Sequence, residues 1–77
     1  MSDTVELKLY ATLKRHLPAD AGAVPVSPGT TVGTLLTSLG VDIASVKLVF
    51  VDGRKKSIDT PLSGGERIGV FPPVGGG

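Results

Sequence analysis

Over residues 4–10 the apolar Val5, Leu7 and Leu9 alternate with Glu6, Lys8 and Tyr10, a period of two that predicts a strand covered on one face. Leu13 and Leu17, four apart around Lys14, Arg15 and His16, predict about one helical turn on the surface, stopped by Pro18. A second short strand is expected over residues 23–27. It belongs at a sheet edge, because Pro25 has no N–H to give to a ladder. The clearest helix runs over residues 31–39, where Thr31 is placed to cap it and Val32, Leu35, Leu36 and Leu39 recur at helical spacing. Gly40 follows where a left-handed residue ends a helix, with Val41 positioned to fold back on Leu36.

A third strand is expected over residues 46–51, with Lys47 marking its wetter face and Val46, Leu48 and Phe50 turned inward. Asp52-Gly53 is a hairpin dipeptide, residues 54–58 a short return strand, and residues 60–65 loop and turn. The last strand covers residues 67–71, with Ile68 and Val70 inward, Gly69 and Phe71 outward, and Pro72-Pro73 as its stop. An isolated helix needs about 12–15 residues to persist, so the short one here must lean on a sheet. If the first and last strands are neighbours, that helix crosses one face of a mixed four- to five-stranded sheet. This is the α+β class and the β-grasp arrangement. Residues 1–71 form that body and residues 72–77 an extended C-terminal tail.

Composition narrows the functional classes. With 77 residues, 40% of them apolar, there is material for one thin core. No cysteine is present, which removes a disulfide framework, a thiolate metal site and a cysteine nucleophile; the lone His16 removes a His-paired zinc site built by one chain. The longest apolar run, Leu48–Val51, is too short to cross a membrane. No basic segment followed by an apolar one opens the chain, so no secretory leader is expected. A net charge of +1 argues against a nucleic-acid partner held by bulk charge. The expectation is a cytoplasmic domain, monomeric when free, that binds no metal or cofactor itself.

The unusual feature is the end of the chain. Three glycines follow directly on a strand that closes with Phe71-Pro72-Pro73-Val74. The prolines hold the chain extended and stiff, and six residues from Pro72 to Gly77 reach about 20 Å when extended. Gly75, Gly76 and Gly77 carry no Cβ and can thread where other residues would clash. The tip is the α-carboxylate of Gly77, ionised at neutral pH. Adenylation by another enzyme would make it an acyl group able to accept sulfur or an amine. Beside the root of this stalk, Phe71, Tyr10, Val49 and Val51 are read as sharing one outer face, an apolar patch suited to a partner.

Other groupings read as structural. Lys14-Arg15-His16 and Arg54-Lys55-Lys56 are expected to be solvated runs. Ser63-Gly64-Gly65-Glu66 lacks a phosphate-loop pattern and is read as a turn, and Asp52 and Asp59 are read as turn formers. No set of residues supplies a nucleophile, a base and an oxyanion site together.

Several segments resemble one family. Tyr10-Ala11-Thr12-Leu13-Lys14-Arg15 after the first strand, the helix start Thr31-Val32-Gly33-Thr34-Leu35-Leu36, and Pro61-Leu62-Ser63-Gly64-Gly65-Glu66 with Ile68 are three of them. The most specific is Phe71-Pro72-Pro73-Val74-Gly75-Gly76-Gly77. Together they resemble the ubiquitin-like sulfur carriers of the MoaD/ThiS family, closest to the small subunit of molybdopterin synthase. The resemblance implies a co-substrate or small subunit with no catalytic machinery of its own. Its Gly77 would be adenylated by a ubiquitin-activating-type enzyme using ATP and Mg²⁺, and then become a thiocarboxylate. A sulfur-acceptor synthase, like the molybdopterin synthase large subunit, would receive the sulfur. Thiazole synthesis, tRNA thiolation, amino-acid synthesis and protein modification through isopeptide bonds remain open as alternatives. The site residues implied are Gly77 and Gly76 at the reacting end, and Phe71, Pro72, Pro73, Val74 and Gly75 with Tyr10, Val49 and Val51 against partners.

Overall fold

The computed structural model describes residues 3–73. Five strands form one sheet: β1 (Asp3–Leu9), β2 (Val24–Val26), β3 (Leu48–Val51), β4 (Arg54–Lys56) and β5 (Arg67–Phe71), in the order β2-β1-β5-β3-β4. β1 and β5 run parallel at the centre, and the other three pairings are antiparallel. The helix α1 (Val32–Ser38) joins the two halves, and short 3₁₀ helices of six and three residues occupy Ala11–His16 and Ile43–Ser45. This is the expected β-grasp fold. No helix among the described residues is long and apolar enough to cross a membrane.

Each element follows from its residues. The Thr31 hydroxyl accepts from the Thr34 N–H at 3.1 Å and caps α1. At the other end Gly40 takes φ +85°, and the N–H groups of Gly40 and Val41 reach back to the carbonyls of Thr37 and Leu36. That is a Schellman stop, and it buries Val41. In the β3–β4 hairpin Asp52 and Gly53 both have positive φ (53° and 83°), as a type I′ turn requires. Pro25 sits on the outer edge strand β2, as its missing donor demands.

Val32, Leu35 and Leu36 of α1 share one core cluster with Val5, Leu7 and Leu9 of β1, Val49 and Val51 of β3, and Ile68 and Val70 of β5. The core is aliphatic throughout, and among the described residues no polar or charged side chain is buried in it. One expectation is overturned. β3 begins at Leu48, not Val46, and it is Val49 and Val51 that are buried, with Leu48 and Phe50 on the opposite face. Lys47 lies just outside the strand and so does not report its alternation. Leu17, paired with Leu13 in the sequence pattern, is exposed while Leu13 is buried.

Candidate functional site

β5 is the strand from which the C-terminal tail departs, and it is held on both sides. Its residues pair with β1 and β3 along their lengths. The last turn of this ladder is closed by the Lys47 N–H on the Phe71 carbonyl at 2.8 Å and the Tyr10 N–H on the Val70 carbonyl at 3.1 Å. Phe71 is thus fixed by backbone bonds, and Pro72 and Pro73 continue from it without sheet partners, Pro72 half-buried and Pro73 exposed. Val74, Gly75, Gly76 and Gly77, the residues expected to react or to thread a partner, lie outside the described residues.

The face of the sheet opposite α1 carries all three aromatic residues of the chain, Tyr10, Phe50 and Phe71. Tyr10 and Phe71 stack with ring centroids 4.2 Å apart and planes 1° from parallel. Phe50 meets Phe71 edge-on at 5.7 Å and 86°, a favoured aromatic geometry. The three rings are only half-buried. Immediately after Tyr10 the chain turns through Ala11 at φ +54°, a left-handed conformation that a residue with a Cβ adopts at a cost. Two shallow depressions flank the rings. One of about 460 Å³ is nearly all apolar and is lined by Ala11, Thr12, Lys47, Leu48, Phe71, Pro72 and Pro73. The other, about 170 Å³, lies between Tyr10, Phe50 and Gly69, with Glu6, Lys8 and Arg67 around it.

Of the residues expected on a partner face, the structure brings together Phe71, Tyr10, Pro72 and Pro73. Val49 and Val51 do not belong there. They are 3% and 7% exposed and face α1, because the β3 alternation is displaced by one residue from the sequence reading. Leu48 and Phe50 take their place, and Lys47 and Ala11 join the rim. Residue type carried a usable signal. Valine, leucine and isoleucine fill this core without aromatic help, which leaves every ring for the surface.

The remaining groupings are built as structure. Lys14, Arg15, Arg54, Lys55 and Lys56 are solvent-exposed. The Ser63–Gly64 turn does not offer free N–H groups to an anion, because the Glu66 carboxylate already accepts from the Ser63 N–H (2.8 Å), the Gly64 N–H (2.7 Å) and the Ser63 hydroxyl (3.0 Å). Partial burial works to raise the Glu66 pKa, but these hydrogen bonds outweigh it and hold the carboxyl below its ordinary value. The Asp52 carboxylate accepts from the Arg67 N–H at 3.0 Å and ties the hairpin to β5.

Comparison with known proteins agrees with this architecture. A family model described as Mut7-C ubiquitin matches residues 2–75. Among solved structures, SAMP1 from Haloferax volcanii is 25% identical with a TM-score of 0.65, the match covering 96% of this chain and 99% of that one. The Haloferax volcanii HVO 2177 protein is 27% identical with a TM-score of 0.70, over 99% and 88%. A Pyrococcus furiosus protein provisionally named molybdopterin converting factor, subunit 1, is 28% identical with a TM-score of 0.61, over 95% and 100%. A search of curated proteins finds no match.

Proposed function

The chain belongs to the Mut7-C ubiquitin family, and from that premise we propose that it is a carrier whose reactive group is the main-chain carboxylate of Gly77. On this reading a ubiquitin-activating-type enzyme joins the Gly77 carboxylate to AMP from ATP and Mg²⁺, and pyrophosphate leaves. A sulfur nucleophile then displaces AMP from the acyl carbon and leaves a thiocarboxylate. Pro72 and Pro73 stiffen the chain that leads out of β5, and Val74, Gly75 and Gly76 would enter the channel of a second enzyme. There the sulfur passes to a small-molecule precursor. The most specific form of the proposal is the small subunit of a molybdopterin synthase, supported by the similarity to the Pyrococcus furiosus protein.

The observation that carries this reading is the exit of β5. A central strand, bonded to both neighbours, ends at a residue clamped by two other rings and leads through two prolines into glycine. A rigid root sets where a side-chain-free end can reach, and the half-buried aromatic face beside it gives a partner an anchor. Incubation with an adenylating enzyme, ATP and a sulfide source, followed by intact-mass spectrometry, tests it. A sulfur-for-oxygen increment confined to Gly77 supports the carrier, and an unchanged mass contradicts it.

A second reading is supported by the near-complete overlap with SAMP1, also solved under the description small archaeal modifier protein 1. The same activated Gly77 would then pass to a lysine amine and form an isopeptide bond. In the same experiment, adducts to other proteins through Gly77 in place of the sulfur increment favour this form.

A further inference from the structure

The sheet has two edges, β2 and β4, and they differ in what they offer to an added strand. On β2 the Thr4 carbonyl turns away from Pro25 and accepts from the Gly65 N–H at 2.6 Å. Pro25 is therefore the residue whose backbone faces outward, and it has no N–H to give. On β4 a complete pair of groups is left. Asp52 and Arg67 continue the β3–β5 register and are joined twice, by the Asp52 N–H on the Arg67 carbonyl (2.8 Å) and the Arg67 N–H on the Asp52 carboxylate (3.0 Å). Bonded pairs recur at every second residue, so Phe50 gives its N–H and C=O to β5, and Lys55 opposite Phe50 turns both of its own outward. No turn or loop among the described residues bonds to Lys55.

The residues along this open edge are Arg54, Lys55 and Lys56, three consecutive exposed cations. Asp52 and Asp59 accompany them and keep their charges, so residues 52–59 carry a net +1. Neither carboxylate lies on the edge itself. Asp52 is held on the β5 side of β3 by the Arg67 N–H, and Asp59 borders the depression that α1 forms with Ile43 and Ile58. Lysine on an edge strand ordinarily keeps other strands off, and here it excludes a second copy in particular. Two β4 strands paired about a two-fold axis at Lys55 would set that lysine opposite its own copy and Arg54 opposite the copy's Lys56, like charges directly opposed. The same row is complementary to a strand of carboxylates.

We propose that β4 is a docking edge for an extended acidic segment of another protein, which adds to the sheet as an antiparallel strand. Its backbone exchanges two hydrogen bonds with Lys55, and its Asp or Glu side chains lie against Arg54, Lys55 and Lys56. Nucleic acid fits this edge less well, because a phosphate accepts from the Lys55 N–H but has no proton to donate to the Lys55 carbonyl. β3 separates β4 from β5, so this docking is independent of any chemistry at Gly77.

The test adds short peptides to the isotope-labelled full chain and follows its backbone amides by NMR and hydrogen exchange. The first peptide has a central run of glutamates flanked by valine and threonine, the second has glutamine for glutamate, and the third is the first with its central run N-methylated. The expected result is exchange at the Lys55 N–H slowed about tenfold or more by the first peptide at saturation. Binding should be about tenfold or more weaker for the other two, and for an Arg54→Thr/Lys56→Thr variant whose melting temperature shows it folded. A Lys55 amide left unprotected, or equal binding of the N-methylated peptide, overturns strand addition. Equal binding of the glutamine peptide overturns the acidic partner. Protection of Lys55 in the chain alone that grows with its concentration overturns the proposal in favour of a second copy. Displacement of the acidic peptide by a lower concentration of oligothymidine overturns it in favour of nucleic acid. Each of these failures leaves the carrier reading standing, since none involves activation of Gly77.

Discussion

The Tyr10 ring lies flat against the Phe71 ring, 4.2 Å between centroids, so the residue that leaves β1 is locked to the residue that ends β5. The two strands are parallel neighbours at the sheet centre, and the stack sits where the tail begins. The same contact thus orders the aromatic face and fixes the direction in which Phe71 leads into Pro72.

Removing that contact should affect recognition more than folding. Phe71→Ala loses the stack with Tyr10 and the edge contact with Phe50, for a stability loss of about 1–2 kcal/mol. The KM for ATP-dependent activation should rise about tenfold or more, as for a central aromatic anchor. Thermal melting and exchange kinetics on the same protein separate the two effects.

The corrected alternation of β3 gives a paired prediction. Val49 faces α1 in the core and Phe50 faces outward beside Phe71. Val49→Asp places a charge among Leu and Val side chains and should unfold the domain. Phe50→Asp should remain folded and lose partner binding. Circular dichroism of the two variants checks this, and the reverse outcome would restore the alternation read from sequence.

That strand also marks the limit of what the chain's pattern reveals. β1 and β5 were legible because Glu6, Lys8, Arg67 and Gly69 alternate with apolar residues, so one polar series names the outer face. In Leu48-Val49-Phe50-Val51 both faces are apolar, and the neighbouring Lys47 falls outside the strand. With Leu48 and Phe50 on the outer face and Val49 and Val51 on the inner one, no polar series distinguishes the two faces. The caps of α1 and the hairpin turn were legible because Thr31, Gly40 and Gly53 act through local backbone geometry. The Tyr10–Phe71 stack was not, since no local pattern tells how the end of one strand meets the end of another far along the chain.

Ala11 holds a left-handed backbone between Tyr10 and the following 3₁₀ turn. Glycine would relieve about 1 kcal/mol of crowding there, offset by about 0.4–1 kcal/mol of extra freedom in the unfolded chain. Ala11→Gly should therefore leave stability within about 0.5 kcal/mol of wild type. A β-branched residue gains nothing in return, so Ala11→Val should cost about 1–2 kcal/mol. Urea unfolding of the three proteins checks the order.

Glu66 sets a pH dependence. Its folded pKa lies below the ordinary value because the Ser63 and Gly64 hydrogen bonds outweigh partial burial. A depressed carboxyl contributes its full stabilisation above the unfolded value and loses it as pH falls through the folded one. Wild type should therefore weaken between the ordinary glutamate range and the acid side of it. Glu66→Gln should be less stable at neutral pH and flatter through that window. Melting temperatures across an acid titration of both proteins decide it.

The central claim is that the Gly77 carboxylate is the reacting group, and the most direct measurement is pyrophosphate exchange with the adenylating enzyme by two chains, one ending at Gly77 and one with a single alanine added after it. The expected result is exchange with the first chain and none with the second, both folded with equal melting temperatures. Equal exchange from both, or from neither, contradicts it.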